Sequence, residues 1–300
     1  MRTYWDLEKL RTSNRIADVI KFYDSFKDDK ELIRWMKNRP NREYTVYEKP
    51  GKKDIVVVIP TINHRGRLAT NSIQIFSGLH IIFIESKINS KYNPSFTFSR
   101  SANTGLKYAL RYKPKWVILA NDDMYTIDNL DILKNELSKL DPKSIDAAFA
   151  EVKNGTYVDC ISTPLFTLKL YRSFANIYLH KLEDILSKFN VRLRCYKCSF
   201  KNRLLYSNPL AKFTCFGPFV VFSYEFLKKN SGMVFDEVFL TGSEDVYLSY
   251  KLSKNKNRYI KINYEIGHLG SKSGAHGNVE NLRYLANEVY LNHLLEKELL

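Results

Sequence analysis

The sequence predicts an α/β fold built on a mostly parallel sheet flanked by helices, and three observations carry that expectation. Short continuous runs of β-branched and apolar residues recur, "DIVVVIP" (54–60), "HIIFIES" (80–86) and "KWVILAN" (115–121), as expected of strands buried on both faces. A helix-patterned segment lies between the second and third runs and another follows the third, so crossovers would join parallel strands. Two adjacent carboxylates, Asp122 and Asp123, follow the third run directly. Like charges repel, so the pair stands either in a solvated turn or where a cation neutralises it.

Residues 1–50 are charge-rich and carry Ile16, Val19, Ile20 and Tyr23 at helical spacing, which predicts a helical N-terminal extension ended by "EKPGKKD". Proline closes the first strand at Pro60. In "RSANTGLKYALRYKP", Ser101 is placed as the cap of a helix with Leu106, Ala109 and Leu110 on one face, stopped by Pro114. "DNLDILKNELSKLDP" sets Leu130, Leu133, Leu137 and Leu140 on one stripe. Residues 153–212 are rich in Lys, Arg and Tyr, with one helix in "SFANIYLHKLEDILSKF", and read as a basic insertion on the acceptor side rather than a second domain. "FTCFGPFVVFSYEFLKKNSG" predicts a strand, then a helix from the Ser223 cap to Gly232. In the C-terminal helix, Leu282, Leu285, Ala286 and Val289 suit core packing. The plan is an extension (1–50), one domain (51–275) and a C-terminal helix (276–300).

Three hundred residues at 44% hydrophobic content are ample for one large core. A formal charge of +15 points to an anionic partner: nucleic acid, an anionic membrane face or a phosphorylated small molecule. No stretch approaches the roughly 20 apolar residues of a membrane span, and the N-terminus lacks the apolar middle of a signal peptide. The expected location is therefore cytoplasmic, with peripheral membrane contact left open. Cys160, Cys195, Cys198 and Cys215 are too few for a disulfide-dense domain. Cys195 and Cys198 have metal-knuckle spacing, but no second pair completes a zinc site.

A second acidic pair, Glu244 and Asp245, follows Ser243 in "FDEVFLTGSEDVYLSYKL", in the first turn of an expected helix. A carboxylate there can be a general base held ionised by the helix N-terminus. Acids after a serine cap are also ordinary helix grammar, so both readings stand. His268 lies in "EIGHLGSKSGA", read as a glycine- and serine-rich loop after a strand. It serves either as a hydrogen-bonded histidine or, with the aspartates, as a nitrogen ligand of a divalent metal holding a diphosphate.

Taken in order, "DIVVVIPTINHRGRL", "IIFIESK", "SANTGLKYAL", "VILANDDM", "FDEVFLTGSEDVYLSYKL" and "HLGSKSG" resemble glycosyltransferase family 2, inverting nucleotide-sugar enzymes of the Rossmann-like GT-A fold. The resemblance runs from about 54 to 275 without the insertion. It implies that Asn121-Asp122-Asp123 is the Asp-x-Asp motif, with Asn121 departing from the acidic first position, Asp123 binding the metal and Asp122 near the donor ribose or sugar. It implies Asp245 as base, Glu244 as a hydrogen-bonding partner for the acceptor or the loop, and His268 as a holder of metal and diphosphate. Pro60, Thr61, Asn63 and Arg65 fall where the family's first loop touches the nucleotide. Glu85 falls at the base-reading position, though Glu85-Ser86-Lys87-Ile88 replaces the usual Asp-Asp-Gly-Ser. Asn103 and Gly105 match Asn-x-Gly, and Arg100 stands in for the arginine that Ala102 replaces, toward the diphosphate.

The implied activity is transfer from a nucleotide sugar, UDP or dTDP first, to a glycan, lipid or protein acceptor, with Mn2+ or Mg2+ as cofactor. The chemistry agrees: a metal and basic groups stabilise the leaving diphosphate, and one carboxylate takes the acceptor proton. A sugar-nucleotide nucleotidyltransferase would want a glycine- and lysine-rich phosphate loop, where "PTINHRGRL" offers only Gly66. A nucleic-acid-binding protein would rest on charge alone; nucleic acid is not the expected partner.

Overall fold

The computed structural model of the chain describes residues 10, 13, 15–39, 43–86, 97–153, 168, 217–240, 242–253, 258–270 and 280–299. Most of the basic insertion, with its expected helix, and all four cysteines lie outside the described residues. Among the described residues, no helix is long and apolar enough to cross a membrane.

The three runs read as strands are β2 (Lys52–Thr61), β3 (Leu79–Ser86) and β4 (Trp116–Ala120). β2 lies parallel to both of the others. Alternation along β2 sends Val56 and Val58 into one apolar cluster and Val57 and Ile59 into another, as a strand covered on both faces requires. Helices α3 (Arg67–Ile75) and α4 (Phe98–Ala109) are the crossovers. Ala102, Leu106 and Ala109 of α4 join Val56 and Val58 in one cluster. Gly105 lets the helix settle there, because a Cβ at that position would lie 2.2 Å from Val58 Cγ1.

The sheet continues through β5 (Met124–Thr126), β6 (Ala147–Lys153), β7 (Phe219–Ser223) and β8 (Tyr259–His268), and begins with β1 (Tyr44–Lys49). Its order is β1-β3-β2-β4-β7-β6-β8-β5. The pairings β2–β3, β2–β4 and β6–β8 are parallel, while β1–β3, β4–β7, β6–β7 and β5–β8 are antiparallel. The sheet is therefore mixed rather than mostly parallel: the long excursion after β6 returns the chain as β7 in the opposite direction.

Other expectations are corrected locally. Residues 44–49, inside the segment read as helical, form edge strand β1, with α1 (Ile16–Asp24) and α2 (Asp29–Lys37) before it. Ser101 is interior to α4: the cap is Thr97, whose hydroxyl oxygen accepts from Arg100 N, while Ser101 Oγ donates to Thr97 O. Helices α5 (Leu130–Ser138) and α6 (Tyr224–Lys229) form as read, the latter capped by Ser223. α7 (Glu244–Ser253) and α8 (Glu280–Leu299) complete the chain.

The end helices share one core. Val19, Phe22 and Tyr23 of α1 and Leu32, Ile33 and Met36 of α2 pack with Leu285, Ala286 and Val289 of α8 and Tyr247 and Tyr250 of α7. Burying each such side chain contributes about 1.5–3 kcal/mol. The core expectation for the tail therefore holds at Leu285, Ala286 and Val289.

Beyond its ladder with β3, β1 is tied to α4 and β3 through one carboxylate. Glu48 accepts from the Tyr108 hydroxyl (2.6 Å), from the Tyr112 hydroxyl and from the His80 ring (2.7 Å). Partial burial pushes this carboxyl up, and the three donors outweigh it, holding it below the usual 4.5. A lowered folded-state pKa contributes stability that is present above the ordinary value and is lost as pH falls through the lowered one. Wild type should therefore melt above Glu48→Gln near neutral pH, with the gap closing under acid. Melting curves across the acid range check this.

Candidate active site

Parallel strands open their carboxyl ends at one edge of the sheet, where ligands of such sheets bind. Thr61 ends β2 and donates from Oγ1 to Asp122 Oδ2 at 2.7 Å. Pro60 is buried beside it, opposite Ile84. Burial raises the Asp122 carboxyl and the neighbouring Asp123 charge adds to that, while the Thr61 hydroxyl opposes both. α3 braces the acidic turn, with Ser72 Oγ donating to Asp122 O (3.2 Å) and Asn71 Nδ2 to Met124 O (3.1 Å).

Asp123, 6% exposed, turns to His268: Oδ1 lies 3.0 Å from His268 Nε2. His268 is the last residue of β8 rather than part of a loop, because its pairing with Met124 draws the strand out that far. Asn121 Nδ2 stands 3.4 Å from the same Nε2, and Leu269 N donates to Asp123 O at 2.9 Å. The imidazole nitrogen thus faces one donor and one acceptor, and its tautomer decides which it serves.

No cluster of three or more His, Cys, Asp or Glu side chains poised to hold a metal occurs among the described residues. A divalent ion bound partly by substrate phosphates needs only one or two protein ligands. An octahedral ion with bonds of about 2.1 Å separates neighbouring ligands by about 3.0 Å, the spacing of Asp123 Oδ1 and His268 Nε2. The same 3.0 Å is also an ordinary N–H···O contact, so the distance admits an ion without requiring one.

The loop after β2 forms a second cluster. Asn63 Oδ1 accepts from Arg65 N, and Asn63 N donates to Thr61 Oγ1. Glu85 Oε2 accepts from His64 N (2.8 Å) and approaches His64 Nδ1 (2.6 Å). Burial pushes the Glu85 carboxyl up, but the His64 backbone and ring, aided by Arg65, hold it below the usual range. Tyr47 stacks on the His64 ring at 3.5 Å. His64 was within the quoted loop without being singled out, and Tyr47 had no signal, since its strand is visible only through pairing.

Arg100 and Asn103 are placed differently from the role the resemblance implies. Asn103 is 1% exposed, its Oδ1 accepting from Val234 N and Phe235 N and its Nδ2 donating to Phe235 O and Glu237 Oε1. An amide has two donor and two acceptor places, and all four are taken by the chain itself, with none left for a nucleotide sugar. Arg100, 7% exposed, donates from Nη2 to Arg39 O and lies 4.0 Å from Glu237 Oε2. Arg39, which no motif marks, directs Nη2 at the carbonyls of Glu237, Val238 and Phe239.

These contacts trace a path. Gly232 lies against Lys107, Val234 and Phe235 against Asn103, and Glu237 beside Arg100, so the segment climbs α4 toward its N-terminal end, about 10 Å at 1.5 Å per residue. That is the edge holding Asp122 and Asp123. Farther on, Gly242 (φ +81) and Ser243 (φ +68) turn the chain into α7, and Ser243 O accepts from Tyr247 N. A serine in the left-handed region stores strain of order 1 kcal/mol. Glu244 is 7% exposed, and Asp245, half-buried, accepts from Val246 N at 2.8 Å.

No protein-family model and no curated protein matches the sequence. Among solved structures the chain is similar to residues 1–349 of S. aureus TarS, with a TM-score of 0.35 and 16% identity over 77% of this chain and 62% of that one. The chain thus spans less than two thirds of that structure. A likeness of this size fixes neither fold family nor activity.

The saturated amide yields a prediction. Asn103→Ala orphans two buried N–H groups and should lower unfolding stability by about 2–4 kcal/mol in urea. A diphosphate-contacting role predicts unchanged stability and weakened nucleotide binding instead.

Proposed function

We propose that the protein is a metal-dependent, inverting glycosyltransferase using a nucleoside-diphosphate sugar, with UDP or dTDP the first donors to examine. The observation that supports this most is the pairing of Thr61 with Asp122 and of Asp123 with His268 at the carboxyl edge of the parallel strands. Two carboxylates that share one turn are thereby given separate tasks.

In this reading Asp122, oriented by Thr61, receives the donor ribose or sugar, and the strand end at Pro60, the loop residues Asn63 and Arg65, and Glu85 of β3 face the nucleotide. Asp123 and His268 would hold Mn2+ or Mg2+, which would neutralise the charge building on the diphosphate. Asp245 takes the proton of the acceptor hydroxyl as that oxygen attacks the anomeric carbon, while Glu244 orients it. The bond to the diphosphate oxygen breaks with its electron pair leaving on the diphosphate. One base on the face opposite the leaving group gives inversion.

Calorimetry of UDP and dTDP binding, with manganese and with chelator, tests the metal: affinity should fall with chelator and in Asp123→Ala. Equal affinity throughout would overturn that assignment. Asp245→Asn should bind donor normally and lose roughly 100-fold or more in transfer. A variant that is destabilised but fully active would show Asp245 to be a helix-start residue only.

A further inference from the structure

We propose that the edge of the sheet opposite the candidate active site is a docking surface for an anionic phospholipid bilayer. This goes beyond the catalytic reading and stands independently of it. Strand register defines the edge: Lys49 lies opposite Ile81, Lys52 opposite Leu79, and Lys115 N donates to Asp54 O. The β1–β2 turn and the turn into β4 are therefore neighbours. They carry six exposed cations, Lys49, Lys52, Lys53, Arg111, Lys113 and Lys115.

Among the described residues, none of these six groups is in an ion pair. The acids on the same turns are Glu48 and Asp54. Glu48 accepts from Tyr108, Tyr112 and His80 and keeps its negative charge, so two carboxylates stand against six cations. Such crowding repels within the molecule and is relieved when an anionic surface covers it.

The aromatic groups choose the partner. Lys53 lies 4.4 Å above the Tyr112 ring and Arg111 4.1 Å above that of Tyr108, and both hydroxyls are tied to Glu48. The rings thus hold cations in place rather than offering free platforms for bases. The cations stand on the end of β1, the start of β2, the single helical turn 110–112 and the residues just before β4, so none is carried on an α-helix that could enter a groove. What it offers is point charge toward phosphates spread in a plane, as in a headgroup layer. Docked this way, the ten residues of β2 would hold the candidate site about 30 Å above the lipid.

The test is co-sedimentation of the full chain with phosphatidylglycerol-containing and pure phosphatidylcholine vesicles. It compares wild type, Lys49→Glu/Lys52→Glu/Lys113→Glu, and a charge-matched control, Lys21→Glu/Lys30→Glu/Arg34→Glu, on α1 and α2. Circular dichroism melts establish that the variants fold. Wild type and control should pellet only with the anionic vesicles and be released at about 1 M salt, where the screening length is about 3 Å. The edge variant should lose roughly tenfold or more of its binding. Failure of wild type to pellet, or equal loss in the two variants, overturns the proposal. So does patch-dependent binding to duplex RNA at a salt concentration that already frees the vesicles, which would assign the edge to nucleic acid.

Discussion

From Val56 onward β2, and β4 throughout, have no side that faces water. Val56, Val58, Val117 and Leu119 point into one apolar layer and Val57, Ile59, Ile118 and Ala120 into the other, and this two-sided burial governs everything around it. Polar chemistry can emerge only where these strands end. At the carboxyl ends stand Thr61, Asp122 and Asp123, and at the amino ends stand the turns with their exposed cations. The separation of the two kinds of surface follows from strands too apolar to carry either along their length.

The same burial sets the course of the segment that leads into α7. α4 must lie close on the sheet, and Gly105 permits it. Its exposed side is then covered by the 232–239 segment, held through Asn103, Arg100 and Arg39. None of these three groups needs to touch a substrate to matter. Together they fix where the strained Gly242–Ser243 turn begins, and with it the direction of α7.

The terminal helices belong to this support. α7 contributes Leu248 and Leu252 to the sheet's cluster and Tyr247 and Tyr250 to the helical one, so it is gripped from both sides. The Tyr23 hydroxyl accepts from Ala286 N, and Asn287 of α8 accepts from Leu240 N just before the turn. The Tyr290 hydroxyl donates to Asp236. An extension and a tail that look dispensable in one dimension brace the acidic helix in three.

The sequence by itself determined the strands β2, β3, β4, β7 and the body of β8, the helices after β3, β4, β7 and β8, and the emergence of two aspartates from a buried strand. Periodicity, caps and β-branched runs are properties of near neighbours, and they are written locally. Only the tertiary structure decided the rest. β5 is three residues long and exists because Met124 meets His268; β1 is half-buried and polar and exists because β3 offers it an edge. Thr97 rather than Ser101 caps α4, though both residue types suit the task, because packing fixes where the chain enters the helix. Asn103 carries the same letter whether it holds a phosphate or a backbone, and the carbonyls that Arg39 meets lie some two hundred residues away. What a polar group does is set by the partner that burial brings to it, and that partner is chosen by the packing of the whole chain.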